Sequence, residues 1–153
     1  MEIDGGVTKK AAKNAPKHIE STDIINFCVE MSTVADAEED EYCGYVYNLD
    51  AVLENGAVKG EYKCRDRYGD ALAQSFSESV EFMQRLYNII NEYDFARYNG
   101  EYCFVAGLPD NYGALVDIKF ASGEQIYASD NETNFIPREA VIKLVDLFKS
   151  RAV

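Results

Sequence analysis

The side chains best suited to chemistry in this sequence are its carboxylates, its cysteines and one alternating run of basic residues. Asp and Glu number 27, and two of them, Asp50 and Glu61, fall opposite each other if residues 46–65 form a hairpin. Carboxylates held side by side push one pKa upward, which supplies a general acid near neutral pH. Lys59 and Lys63 lie next to Glu61 on the same face, however, and neutralise the pair at a solvated surface. A second set, Asp117, Glu101, Tyr112 and Arg97, is spread over the C-terminal half. It defines the alternative reading, an enzyme that works through carboxylates and Tyr without His.

Most other catalytic chemistry is excluded by residue type and spacing. The single histidine, His18, lies in an N-terminal segment expected to be mobile, which removes His-based nucleophile activation and multi-His metal sites. His18-Ile19-Glu20 matches half of a zinc deaminase signature, but the Pro-Cys-x-x-Cys half is missing. Cys28, Cys43, Cys64 and Cys103 contain no Cys-x-x-Cys and read as small buried hydrophobes. Cys103 has Glu101 beside it rather than a base or a cation, so nothing lowers its pKa. The acidic run Asp36 to Glu41 lacks the frame of a calcium loop. Neither Gly-x-Ser-x-Gly nor a glycine-rich phosphate loop occurs. No catalytic residue, metal ligand or cofactor is assigned.

The basic run is the more informative feature. Lys59, Lys63, Arg65 and Arg67 recur at every second or fourth position, which places them on one face of a strand, beside Asn48 and Val46 of its neighbour. On a chain of net charge −12 this stripe is a local exception. Arg pairs bidentately with carboxylates, so the stripe and Asn48 form the candidate binding surface for an acidic protein or peptide. The competing explanation is that basic side chains keep an exposed sheet face or edge soluble.

These residues are positioned by a chain of 153 residues, enough for one domain with one core. Residues 1–18 carry four Lys against Glu2 and Asp4 and little to bury, which leaves −14 on the remainder. The expected organisation is a flexible basic arm over 1–18 and a single domain over 19–153. An acidic body repels phosphate backbones, so nucleic acid is not an expected partner. No run approaches the roughly 18 apolar residues of a membrane span, and no export signal is evident, so a cytoplasmic location is the default.

Along the chain, alternation over 24–34 predicts a strand with Ile25, Phe27, Val29 and Met31 on one face. Asn55-Gly56 suits the two positive-φ positions of a type I′ turn. A two-residue loop there sets Leu53 opposite Val58, Ala51 opposite Gly60, Leu49 opposite Tyr62 and Tyr47 opposite Cys64. It puts Val52, Asp50, Asn48 and Val46 on the reverse face against Lys59, Glu61, Lys63 and Arg65. A three-residue loop would mix the faces. Ser75-x-x-Glu78 suggests a capping box for a helix to about Tyr93, with Phe76, Val80, Met83, Tyr87 and Ile90 inward. A short strand follows from Tyr102 to about Gly107. A second hairpin turns through Ala121-Ser122-Gly123, setting Ile118 opposite Ile126 and Val116 opposite Ala128. Pro137 opens a closing helix with Val141, Leu144, Val145 and Phe148 as its stripe.

The order β-β-β-α-β-β-β-α predicts an α+β fold, an antiparallel sheet of five to six strands packed by two amphipathic helices. Part of this order, with the acidic charge, is similar to the dimeric chaperones of type III secretion effectors. No motif is shared, and their leading helix has no counterpart in residues 1–18. The functional expectation is a non-catalytic protein-binding or accessory module. Further alternatives are the His-independent enzyme above and a self-associating domain, such as a homodimer.

Overall fold

The computed structural model describes residues 2–4, 7–11, 15–32, 46–65, 70–107 and 113–151. The class is α+β. Strands β3 (Ile24–Ser32), β4 (Val46–Glu54), β5 (Ala57–Arg65), β6 (Ala71–Ser79), β7 (Glu101–Val105), β8 (Ala114–Phe120) and β9 (Gln125–Asp130) build the body of one sheet. Two short strands, β1 (Glu2–Asp4) and β2 (Val7–Ala11), extend it at the β7 side. The spatial order is β1-β2-β7-β9-β8-β3-β4-β5-β6. Every neighbour is antiparallel except β7 and β9, which run parallel. Helices α1 (Glu81–Glu92) and α2 (Arg138–Arg151) carry the apolar stripes.

Both hairpins take the registers that face segregation demands. In β4–β5 every pair from Leu53–Val58 to Val46–Arg65 is as predicted. Asn55 and Gly56 have φ of 53° and 79°, the two left-handed positions of a type I′ turn. In β8–β9, Ile118 faces Ile126 and Val116 faces Ala128, with Gly123 at φ 91° closing the three-residue loop. In α2 the amide of Val141 donates to the carbonyl of Pro137, so proline sits where its missing N–H is harmless.

The core lies between one face of the sheet and the two helices. Phe27, Val29, Met31, Leu49, Val58 and Ile118 face inward from the strands. Phe82, Leu86, Ile90, Val141, Leu144 and Phe148 meet them from the helices. Phe148 is the hub of an aromatic cluster, with ring centroids 5.2 Å from Phe82, 5.8 Å from Phe27 and 5.8 Å from Phe76. Gly60 is buried beneath Phe76, and a Cβ there would stand 2.2 Å from Phe76 Cζ. The missing side chain is what lets that ring lie over β5.

Three expectations are corrected. The sheet has more than six strands and is mixed, because β7 joins alongside β9 rather than in a hairpin. Residues 71–79 form β6, not the start of a helix, and Ser75 and Glu78 lie within the strand. Helix α1 starts at Glu81 after Val80, with no side-chain cap, and Val80 is exposed. The segment also alternates with period two, and all nine of its residues pair with β5, which its apolar Phe76 alone does not reveal. Ile25 points out and Ile24 points in, because a register shift between Ile24 and Asn26 resets the face. Within residues 1–18 the backbone forms the short strands β1 and β2. With β6 ahead of α1, the element order departs from that of the effector chaperones. Cys43, Arg67 and the acidic run 36–41 lie outside the described residues.

Candidate functional site

Because α1 and α2 pack on one face, the reverse face of the sheet contributes none of the core. Strand pairing sets its side chains in rows that cross β3 to β6. One row runs Asp117, Cys28, Asp50, Glu61, Ser75. The next runs Glu30, Asn48, Lys63, Ala73, and a third runs Asn26, Val52, Lys59, Ser77. Arg65 lies beyond Lys63 on β5, between Val46 and Ala71. Basic and acidic groups thus share one face rather than forming separate patches.

Two concavities open on this face. The larger, of about 660 Å³, is lined by Asn26, Asp50, Lys59, Glu61, Ser75 and Ser77 among others. The smaller, of about 200 Å³, is lined by Asn48, Lys63, Arg65, Ala71 and Ala73 among others. Four of the five residues expected from the sequence therefore come together around two adjacent depressions, while Arg67 lies outside the described residues.

The cations are partly engaged. Lys63 Nζ lies 2.8 Å from Glu61 Oε1, and Lys59 Nζ donates to Ser77 Oγ at 3.1 Å. The hydrogen bond to Glu61, then its charge and those of Asp50 and Glu30, hold the Lys63 ammonium above the ordinary lysine range. Asn48 is the unusual member. Its Oδ1 is buried and has no hydrogen-bond partner among the described residues. Leaving such an oxygen without a donor costs about 1–3 kcal/mol.

At the centre of the acidic row the Cys28 thiol is pushed up to about 12, first by burial, then by the charge of Asp50 and a hydrogen bond to it, and by Glu30 and Asp117. A thiol in that setting stays protonated and is a poor nucleophile. Cys64 packs against the core from the opposite face, and Cys28 and Cys64 are free thiols. The carboxylate and Tyr set considered from the sequence is held by separate local partners. Asp117 accepts from Gln125 Nε2 at 2.8 Å, Arg97 stacks 4.7 Å from the Tyr98 ring centroid, and Glu101 is exposed at the start of β7. Tyr112 lies outside the described residues. Among the described residues no group of His, Cys, Asp and Glu could hold a metal ion.

An aromatic group at the other end of this face was not evident from the sequence. Tyr102 and Phe104 of β7 and Tyr127 of β9 are 38%, 44% and 41% exposed. Tyr127 stands opposite Asp117, and Tyr102 opposite Ser129, which places all three on the open side. Continuing the β8–β9 register from Ile118–Ile126 would have put Tyr127 outward. Tyr102 and Phe104 required the parallel pairing with β9.

No protein-family model, curated protein or solved structure matches this chain.

Proposed function

We propose that this chain is a non-catalytic binding module that takes an acidic polypeptide segment on the open face of its sheet, at Asn48, Lys59, Lys63 and Arg65. Arg67, two residues further along the same run, belongs to this reading. The observation that carries it is the open depression that Asn48, Lys63 and Arg65 line together. Two cations that line one depression match the carboxylate side chains of an extended segment. A segment presenting carboxylates would pair with Arg65 and with Lys63. An open concavity on a sheet suits an extended chain better than an enclosed substrate. No helix among the described residues is long and apolar enough to cross a membrane.

The test is an NMR titration of isotopically labelled protein with a Glu-rich peptide. Shifts should concentrate on the Asn48 side-chain amide, Lys59, Lys63 and Arg65, and affinity should fall with added salt. Reversing Lys59, Lys63 and Arg65 to Glu should weaken binding at least tenfold. Shifts scattered over the surface, or binding untouched by the reversal, would overturn the reading.

A further inference from the structure

β6 ends the sheet, and among the described residues no strand pairs with its outer edge. Which of its backbone groups are left over follows from the turn at Asn55-Gly56. In a two-residue hairpin the residues flanking the turn, Glu54 and Ala57, form a hydrogen-bonded pair. Hydrogen-bonded and non-bonded pairs then alternate along an antiparallel ladder. Odd-numbered residues of β5 therefore bond to β4, and even-numbered ones bond to β6. The even-numbered residues of β6 answer them, given the pairs Val58–Glu78, Gly60–Phe76, Tyr62–Gln74 and Cys64–Leu72. The same alternation carried the other way directs Ser32 towards the β8 side, where its amide does donate to the Gly113 carbonyl at 2.8 Å. The free N–H and C=O groups of the edge thus belong to Ala71, Ala73, Ser75, Ser77 and Ser79. All five are exposed.

Natural sheets block such an edge with Lys, Pro, bulges or short strands. β6 has none of these. It is nine residues long, regular in its register with β5, and its only ionised residue, Glu78, is paired with Arg151 at 2.9 Å. On a chain of net charge −12 most of the surface repels a second copy, but this edge presents no uncompensated charge. Its five outward residues are all Ala or Ser. On the open face, two such rows set only small side chains against each other about a two-fold axis.

We infer that a second copy of this chain docks on β6, antiparallel, with the two-fold axis between the two Ser75 residues. That register overlaps the whole strand. It sets Ala71 opposite Ser79 and Ala73 opposite Ser77, and it satisfies every free backbone group of the edge. The two sheets become continuous, and the basic stripes of the two β5 strands stand three strand spacings apart, roughly 14 Å, beyond the screening length in physiological salt. The paired strands run for roughly 30 Å, a contact one strand wide, which fits a reversible, concentration-dependent dimer. The inference uses the outward backbone groups of β6 and not the charges of the open face, although the side chains of Ala71, Ala73, Ser75 and Ser77 also line the depressions there.

Sedimentation velocity of the full chain from low-micromolar to millimolar concentration tests it. The mass should rise from one chain to two. Ser75→Pro and Ser75→Lys should raise the dissociation constant at least tenfold. The N–H that proline removes points outward, so β6 keeps its bonds to β5. Should proline perturb the strand, the lysine variant gives the answer, with an unchanged melting curve as the check. Ser75→Cys should oxidise to a disulfide-linked dimer, because opposed residues of a hydrogen-bonded pair have Cα atoms about 5.5 Å apart, within disulfide range. A mass of one chain at every concentration overturns the inference, even if a foreign strand binds the edge. So does a dimer indifferent to the Ser75 variants.

Discussion

Replacing Gly60 by Ala probes how the edge strand is held to the core. In an ordinary strand this substitution stabilises by about 0.5–1 kcal/mol, since Ala loses less backbone freedom on folding. Here the sign should reverse. The added Cβ would lie 2.2 Å from Phe76 Cζ and 2.4 Å from Cε2, where carbon atoms rest about 3.5–4 Å apart. The ring must retreat by roughly an ångström or more. It is not free to do so, because it packs edge-on against Phe82 at 5.3 Å and Phe148 at 5.8 Å. Overpacking of this kind costs about 1–3 kcal/mol, so G60A should be destabilised by about 1–2 kcal/mol net of the backbone gain. Urea unfolding reads this as a lower midpoint at unchanged slope. Phe76→Leu, which shortens the side chain above Gly60, should recover part of the loss in the double variant, giving a coupling of about 1 kcal/mol. A G60A protein as stable as the parent, or more stable, would refute the argument that Phe76 needs the bare glycine.

Burial and the surrounding carboxylates raise the Cys28 thiol from 9.0 to about 12. The folded state therefore holds its proton more tightly than the unfolded one, and stability is fully present below pH 9 and falls as pH rises towards 12. The slope of stability against pH above 9 should be shallower in Cys28→Ala, and an equal slope would show that Cys28 is not responsible. Glu124 is held below the ordinary carboxylate range by the Ser122 hydroxyl first and then by the backbone N–H groups of Glu20 and Ser21, at 2.9 Å each. Its tether of residues 20 and 21 is present above the ordinary Glu value and is lost as pH falls through the lower folded value. The protection of the Glu20 and Ser21 amides against hydrogen exchange, relative to the unfolded chain at the same pH, should fall over that window, and in Glu124→Gln at neutral pH. Asn99 is buried, donates to the carbonyls of Pro16 and Gln125, and accepts from the Tyr127 amide. Asn99→Ala strands those partners and should cost about 2–3 kcal/mol in urea unfolding, while leaving peptide binding at Asn48 unchanged.

The legible parts of this protein were those in which neighbouring residues decide the outcome. Asn55-Gly56 and the separation of Leu49 and Tyr62 from Asp50 and Glu61 allow one register, so the placement of Asn48, Lys59, Lys63 and Arg65 on one face followed without a structure. The buried stripe of α2 followed likewise from Val141, Leu144, Val145 and Phe148. Residues 71–79 were not legible in this way. Leu72, Gln74, Phe76 and Glu78 alternate with small residues, while Ser75 and Glu78 also have the spacing of a helix cap. Neither local pattern outweighs the other. What decides is the free edge of β5 and the space above Gly60, both remote in sequence. The Asn48 oxygen was also beyond sequence reasoning, since its lack of a donor depends on side chains from three strands.

The sequence by itself determined the fold class, two hairpin registers and the face on which the basic residues lie, because turn geometry and period-two alternation act over a few residues. Only the tertiary structure decided that β7 runs beside β9, that both helices cover one face, and that β6 ends the sheet. Those outcomes are set by competition among strand edges and apolar surfaces distant along the chain, whose burial free energy no local pattern contains.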